Sequence, residues 1–178
     1  MRERTGPREG DLTAGPRASD RPARAPESVW DYPRPPRAEP DGRRAVIRYG
    51  GVVVADTTDL VRILETSHPP TFYLPRTAFG AYLRPARRTT VCEWKGVARY
   101  VDIVVPGAAP LRDVGWWYPA PDARYPQLHD RVAVYAGPFD EITLDGERVE
   151  PQPGGFYGGW MTSEIVGPVK GGPGTWGW

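Results

Sequence analysis

Cysteine, histidine and lysine are scarce in this sequence of 178 residues. It contains one cysteine, Cys92, and two histidines, His68 and His129. A single cysteine excludes an internal disulfide and every all-cysteine zinc site, and two histidines add too few soft ligands for a metal centre. We therefore expect no metal and no other cofactor.

Long apolar runs and an excess of either charge are also missing. No stretch approaches the roughly 20 apolar residues that a membrane helix needs, and the arginine-rich start lacks the apolar stretch of a secretory signal. The 23 Lys and Arg residues nearly balance the 22 Asp and Glu residues, which argues against a general attraction to nucleic acid or anionic lipid. These absences predict a cytoplasmic protein without a membrane or nucleic-acid partner.

Proline and glycine are abundant, and both ends of the chain are rich in them. Residues 1–44 contain ten Arg, eight acidic residues and eight Pro, a composition that buries too little surface to offset the chain entropy. We predict a disordered leader there, with an anchor to the fold at residues 29–33. Residues 151–178 combine nine Gly with five aromatic residues, which predicts a tail packed on the domain as a stabilising wrap, a lid or a partner-binding segment.

Residues 45–150 have the pattern of a β-rich domain. Pairs of short β-prone segments flank three turns that contain glycine, which predicts three hairpins. The turns are Gly50-Gly51, Lys95-Gly96 and Asp145-Gly146. Further strands are expected at residues 116–118 and 132–135, with a helical turn at residues 125–130 between them.

One helix is predicted between the first hairpin and a proline pair. Leu60, Val61 and Leu64 recur at three- and four-residue spacing after a threonine that can cap a helix, and Pro69-Pro70 prevents its continuation. Short strands with one helix indicate a mainly antiparallel β or α+β domain rather than a wound α/β sheet.

Three ordered motifs in this domain support a family resemblance. They are Leu64-Glu65-Thr66-Ser67-His68-Pro69-Pro70 with Tyr73-Leu74-Pro75, Cys92-Glu93-Trp94-Lys95-Gly96-Val97-Ala98-Arg99-Tyr100, and Trp117-Tyr118-Pro119 with Pro121. With the strand at residues 132–135, they make roughly residues 46–150 resemble the domain of unknown function 427 family. The resemblance implies a small, mostly antiparallel domain of the β-tent type. The glycine-rich tail is similar to those of actinobacterial members.

Two properties linked to this resemblance do not carry over to the sequence. Other β-tent domains typically hold zinc through paired cysteines, whereas this chain has one cysteine. The family is sometimes labelled nucleotidyltransferase-like, a chemistry that needs an Asp-x-Asp pair for two metal ions. Here Gly50-Gly51 is followed by Asp56 and Asp59, three residues apart. The resemblance therefore implies the fold without the zinc, and the residues do not support the label.

Polar and aromatic residues of the matched motifs are the candidate site. The predicted ligand-binding residues are Glu65, Thr66, Tyr73, Trp94, Lys95, Tyr100 and Trp117. If Glu65 and Lys95 meet in a partly buried cleft, they can act as acid and base, hold a polar ligand, or form a structural ion pair. Cys92 is a third catalytic candidate, as a nucleophile with His68 or His129 as its base, or else a small buried side chain.

Strand alternation limits how the second motif can face a cleft. It places Cys92 and Trp94 on one face, and Val91, Glu93 and Lys95 on the other. Trp94 and Lys95 can therefore face one cleft only if the turn twists.

A small-molecule-binding module with a polar-aromatic cleft is the leading functional prediction. An aromatic set suits the wall of a pocket for a flat or cationic ligand, and equally the core of a small β domain. The set is Tyr73, Trp94, Tyr100, Trp116, Trp117 and Tyr118. One alternative is a hydrolase or group transferase that uses Glu65 and Lys95, and another is a structural or interaction protein that uses the tail.

Overall fold

The computed structural model describes residues 24–178, so residues 1–23 of the predicted leader lie outside it. Its strands, in chain order, are β1 (Glu27–Ser28), β2 (Arg37–Asp41), β3 (Ala45–Tyr49), β4 (Val52–Thr57), β5 (Leu60–Leu64), β6 (Thr71–Pro75), β7 (Leu83–Cys92), β8 (Gly96–Ile103), β9 (Leu111–Trp117), β10 (Arg131–Val134), β11 (Glu141–Leu144), β12 (Glu147–Arg148), β13 (Glu150–Pro151), β14 (Trp160–Met161) and β15 (Ile165–Val166). Short 3₁₀ segments cover Val29–Asp31, Arg76–Tyr82 and Pro126–Leu128. No helix in the described part of the chain is long and apolar enough to cross a membrane.

Two antiparallel sheets build the domain, which confirms the predicted mainly β class. The larger sheet has the strand order β2-β5-β6-β10-β9-β8-β7, and the smaller has the order β12-β11-β3-β4. Their facing sides enclose the main core, to which the larger sheet contributes Phe72 and Leu74 and the smaller contributes Ile47 and Ile142. All four side chains are almost completely buried, so burial of apolar surface holds the sheets together.

All three predicted hairpins form. Gly50 and Gly51 join β3 to β4 with φ of 59° and 79°, and Asp145 and Gly146 join β11 to β12 with φ of 52° and 85°. Two successive residues of positive φ match the right-handed twist of the flanking strands, which explains the glycines at these turns. The third hairpin joins β7 to β8.

The helix predicted after the first hairpin is wrong, because its residues form strand β5. All five residues of β5 are buried, with β2 on one side and β6 on the other. The four-residue spacing of Leu60 and Leu64 is a multiple of two, so it fits a strand as well as a helix. The β-branched Val61 and Ile63 then favour the extended form.

The fold begins before the boundary predicted at residue 45. Strand β2 lies at the edge of the larger sheet and pairs with β5 along its whole length. Pro40 is tolerated in β2 because an edge strand leaves one row of its N–H groups without a partner strand. The buried strand β5 thus gains hydrogen bonds on both sides from a segment that the composition alone assigns to the leader.

The segment predicted as an anchor, residues 29–33, packs on the fold. Val29 is fully buried and belongs to a small apolar cluster with Tyr32, Leu64 and Ile165. This cluster joins the N-terminal segment to β5 and to the tail.

The tail also packs on the domain. Trp160 is fully buried in the main core and stacks on Phe72 with a centroid distance of 5.1 Å. Its indole Nε1–H donates to the main-chain oxygen of Val134 at 3.1 Å. Strand β14 pairs with β13, and β15 lies parallel to β1.

Candidate functional site

The face of the larger sheet that turns away from the main core carries the candidate site. Neighbouring side chains of a strand point to opposite faces. On β6, Phe72 packs in the main core, whereas Tyr73 lies in a second cluster on the other face. On β9, Trp117 packs against the main core and Trp116 against the second cluster.

A cavity of about 370 Å³ lies over this second face. The end of β5, the β7–β8 hairpin and the tail all contribute to its lining. Most of the predicted site residues line it, namely Glu65, Tyr73, Cys92, Trp94, Lys95 and Tyr100. The structure therefore brings the exit of β5 and the tryptophan-lysine hairpin to one shared cavity.

Two predicted site residues lie outside the cavity. Thr66 uses its hydroxyl to donate to the main-chain oxygen of Tyr32 at 2.5 Å, so it ties down the N-terminal segment. Trp117 follows Trp116 in β9 and therefore points to the opposite face. There its ring is covered by the guanidinium of Arg76, 3.9 Å from the ring centroid.

The turn of the β7–β8 hairpin directs both Trp94 and Lys95 to the cavity. Cys92 is the last residue of β7 and pairs with Gly96, so the three residues between them leave the strand geometry. The main-chain oxygen of Lys95 accepts a hydrogen bond from the N–H of Asp122 at 3.1 Å, which fixes the turn. Strand alternation thus stops at Cys92.

Lys95 has a buried side chain without a counter-ion. The residue is only 8 % exposed, and none of the hydrogen bonds or ion pairs within residues 24–178 involves its ammonium group. Glu65, its predicted partner, forms an ion pair with Arg34 instead, with 3.7 Å between Nε and Oε1. The ammonium group of Lys95 is not one of the fully enclosed atoms without a partner in the described residues, so it is accessible from the cavity.

The tail holds His68 through Gln152. The amide Oε1 of Gln152 accepts the N–H of Gly159 at 3.0 Å, so its Nε2 is the donor, at 2.7 Å from the main-chain oxygen of Lys170. The same Nε2 lies 3.1 Å from Nδ1 of His68. Because that nitrogen faces a donor, it is the acceptor, and the proton of the neutral imidazole lies on Nε2.

Burial, together with the nearby positive charges of Lys170, Arg34 and Lys95, lowers the pKa of His68 from 6.5 to about 4. Both causes disfavour the charged form of an imidazole. His68 is therefore neutral at pH 7 and lines a cavity whose surroundings are positively charged.

Phenol groups line the deep part of the cavity. The hydroxyl of Tyr73 accepts a hydrogen bond from the indole Nε1–H of Trp116 at 3.2 Å. Burial raises the pKa values of Tyr73 and Tyr118 well above their usual range. Both phenols stay protonated at pH 7, so they offer hydrogen-bond donors and no negative charge.

Cys92 packs beside the Tyr118 hydroxyl, with which it shares a hydrogen bond. Within the described residues, neither His68 nor His129 forms a hydrogen bond with the thiol, and His129 instead lies 3.2 Å from Asp130 at the surface. Residues 24–178 also contain no group of three His, Cys, Asp or Glu side chains that could hold a metal ion.

Several lining residues escaped the sequence interpretation. They are Arg88, Tyr135, Gln152, Phe156, Tyr157, Gly158 and Lys170. One signal was available: the chain has only two lysines among its 23 basic residues, and both line the cavity. For the other lining residues, the sequence contains no local pattern that links them to the cavity.

Gly158 brings the main chain of the tail onto the wall of the cavity. A Cβ atom at this position would lie 2.2 Å from Cη2 of Trp116. Only glycine therefore allows the tail to cover the indole so closely.

One comparison with known proteins gives a match over most of the domain. Residues 37–145 match the family described as domain of unknown function (DUF427). The matched range covers both sheets except β12 and includes the two motifs that meet at the cavity. None of the curated proteins matches the chain.

Proposed function

Since the chain belongs to the DUF427 family, whose description specifies no activity, we propose a function from the cavity itself: the protein is a small-molecule-binding module. The observation that carries this proposal is the cavity of about 370 Å³ between the larger sheet and the tail. Ligand sites in proteins typically enclose about 300 to 1,000 Å³, with apolar walls and a few converging polar groups.

The cavity walls have the required composition. Indole and phenol rings of Trp94, Tyr100 and Trp116 supply flat apolar surface, while Lys95 and His68 supply polar groups. Aromatic walls bind a flat molecule at a low cost in side-chain entropy, since each ring has few rotatable bonds. The ligand class with the best fit is therefore a small molecule with a ring and a polar substituent.

Thermal unfolding in the presence of a library of small ring compounds tests the proposal. We expect some compounds to raise the unfolding temperature of the wild type and of a Trp176→Ala variant, because Trp176 is 68 % exposed and outside the cavity. The same compounds should not stabilise a Trp94→Ala variant. The proposal fails if no compound stabilises the wild type, or if the Trp94→Ala variant responds as strongly as the wild type.

An acid–base enzyme has less support than a binding module. Glu65 and Lys95 line the same cavity, but the ion pair of Glu65 is with Arg34. The tail alternative, a partner-binding segment, has less support because Trp160 and Gln152 bury the tail against its own domain.

A further inference from the structure

We propose that the ligand of this cavity carries a negative charge, as a carboxylate or a phosphate on a ring system, and that Lys95 binds this anion. The inference rests on the proposed binding function and specifies its ligand class. It keeps the flat ring that the aromatic residues suggest and replaces the alternative of a cationic ligand with an anionic one.

The first argument is the state of Lys95. Its side chain is buried, lines the cavity, and has no hydrogen bond or ion pair among the described residues. The ammonium is open to the cavity, and no protein group among the described residues neutralises its charge. An anion in the cavity supplies the missing partner, and a charge-assisted hydrogen bond is among the strongest polar contacts.

Two further cations border the same cavity. The ammonium of Lys170 donates to the main-chain oxygen of Trp178 at 2.7 Å, and the guanidinium of Arg88 lies 4.3 Å from the ring centroid of Tyr100. Within residues 24–178, Arg88 forms no ion pair, so its charge acts on the cavity, whereas the charge of Lys170 is partly met by its contact with Trp178.

The negative groups at the cavity do not cancel this positive charge. The lining contains two carboxylates, Glu65 and Glu93. Arg34 pairs with Glu65, and Glu93 is exposed at the hairpin turn. His68 is neutral chiefly because it is buried, and the cations around it also oppose its protonation. The cavity thus offers a positive field, a neutral donor and aromatic walls.

Four naphthalene compounds of similar shape test the inference by isothermal titration calorimetry: naphthoate, naphthyl phosphate, the neutral naphthamide and the cationic naphthylmethylamine. We expect the preferred anion to bind the wild type at least about tenfold more tightly than the amide, and the cation to bind most weakly. The tighter of the two anions identifies the charged group as carboxylate or phosphate.

Variants then assign the charge preference to Lys95. In Lys95→Met, we expect anion and amide to bind with dissociation constants within about twofold of each other. Retained binding of the amide shows that the variant cavity is intact. Arg87→Met is the matched control, because it removes an exposed positive charge from β7 outside the cavity and should preserve the preference for the anion.

The possible failures are distinguishable. If the amide or the amine binds the wild type as tightly as the anions, the binding function stands and the anionic ligand class is overturned. If Lys95→Met keeps the full preference, Lys95 is not the anion-binding group. If none of the four compounds binds at millimolar concentration, the binding function and the ligand class both fall.

Discussion

At the scale of single residues, His68 combines burial, charge and a directed hydrogen bond. Gln152 fixes its tautomer from the tail, and burial, with a smaller effect of the cations around the cavity, keeps it neutral. An imidazole in this position costs free energy when it is protonated, so its effect on stability depends on pH.

The free energy of unfolding should fall between about pH 6.5 and pH 4 through His68. In this range the unfolded chain binds a proton at His68 that the folded chain does not bind, because the folded pKa is about 4 instead of 6.5. The loss is complete below the folded pKa and amounts to at most about 3 kcal/mol. A His68→Asn variant retains an acceptor for Gln152 but does not titrate. Urea unfolding at several pH values should therefore show the stability difference between wild type and variant shrinking as the pH falls.

His129→Asn is the control for this experiment. The side chain of His129 is 67 % exposed, so the substitution should change the pH dependence by less than about 0.5 kcal/mol. Equal pH dependence of wild type and His68→Asn would contradict the assignment.

Gly158→Ala should destabilise the protein. Its Cβ would lie 2.2 Å from the indole of Trp116, so either the ring or the tail must move, at a cost of about 1–3 kcal/mol. Gly172→Ala is the matched control, since no atom lies within 4 Å of the new Cβ. Denaturant midpoints measure both changes, and similar midpoints for the two variants would mean that the tail adapts freely.

At the scale of elements, strands β6 and β9 show what the sequence can predict and where it stops. The motifs that contain Tyr73 and Trp116 to Tyr118 were recognisable, and period two decides which member of each pair shares a face. A sequence does not say which face holds the cavity, so the predicted ligand-binding residues include Trp117, which lies on the other face, and omit Trp116. In the β7–β8 hairpin, strand alternation predicts that Trp94 and Lys95 point to opposite faces. The three-residue turn ends this alternation, so both side chains line the same cavity.

The sequence predicts a helix where strand β5 forms, because the burial of β5 depends on pairing with distant parts of the chain. A strand that is buried on both faces reads as a continuous apolar run, and spacing alone does not separate it from a short helix. What decides its form is the pairing with β2 and β6, and β2 lies in a segment whose composition resembles a disordered leader. Pairing with distant segments, together with the β-branched Val61 and Ile63, therefore decides that these residues form a strand.

Arg43 joins β2 to the tail, so its removal should weaken both. It bonds Asp41 at 2.7 Å and also Glu164, and its side chain is 8 % exposed. Arg43→Met removes a positively charged partner from the buried carboxylates of Asp41 and Glu164, which should lower the free energy of unfolding by about 3 kcal/mol. The neighbouring Arg44 pairs with Asp56 at 2.6 Å at the surface, and Arg44→Met should cost much less, because water screens an exposed ion pair.

Chemical denaturation of both arginine variants measures the contrast. A cost for Arg43→Met no larger than that for Arg44→Met would show that the buried network adds little to the link between β2 and the tail.

At the scale of the whole molecule, the tail is part of the folded domain. Trp160→Ala should cost about 3–5 kcal/mol, because it empties a fully buried position in the main core and removes the stack on Phe72. Trp176 belongs to the same tail and is 68 % exposed, so Trp176→Ala should change stability by less than about 0.5 kcal/mol. Thermal or denaturant unfolding separates the two. Comparable effects would indicate that the tail contributes through general coverage rather than through one inserted ring.

Composition indicates a mainly β fold, which the structure confirms, and it predicts an aromatic tail that packs on the domain. Composition does not place Lys170 or Gln152 at the cavity. Their positions depend on contacts with the main chain, such as the hydrogen bond from the Gln152 side chain to the main-chain oxygen of Lys170. Contacts of this kind depend on the path of the tail, which leaves no periodic pattern in a glycine-rich sequence.

The walls of the cavity come from segments spread between Ile63 and Lys170, and no short stretch of the chain contains it. A molecule can therefore bind in the cavity only when all these segments are folded together, and its binding free energy opposes their local unfolding. In a cell, the supply of that molecule would set how often proteases meet an open chain. The protein would then be degraded more slowly as the concentration of the bound molecule rises.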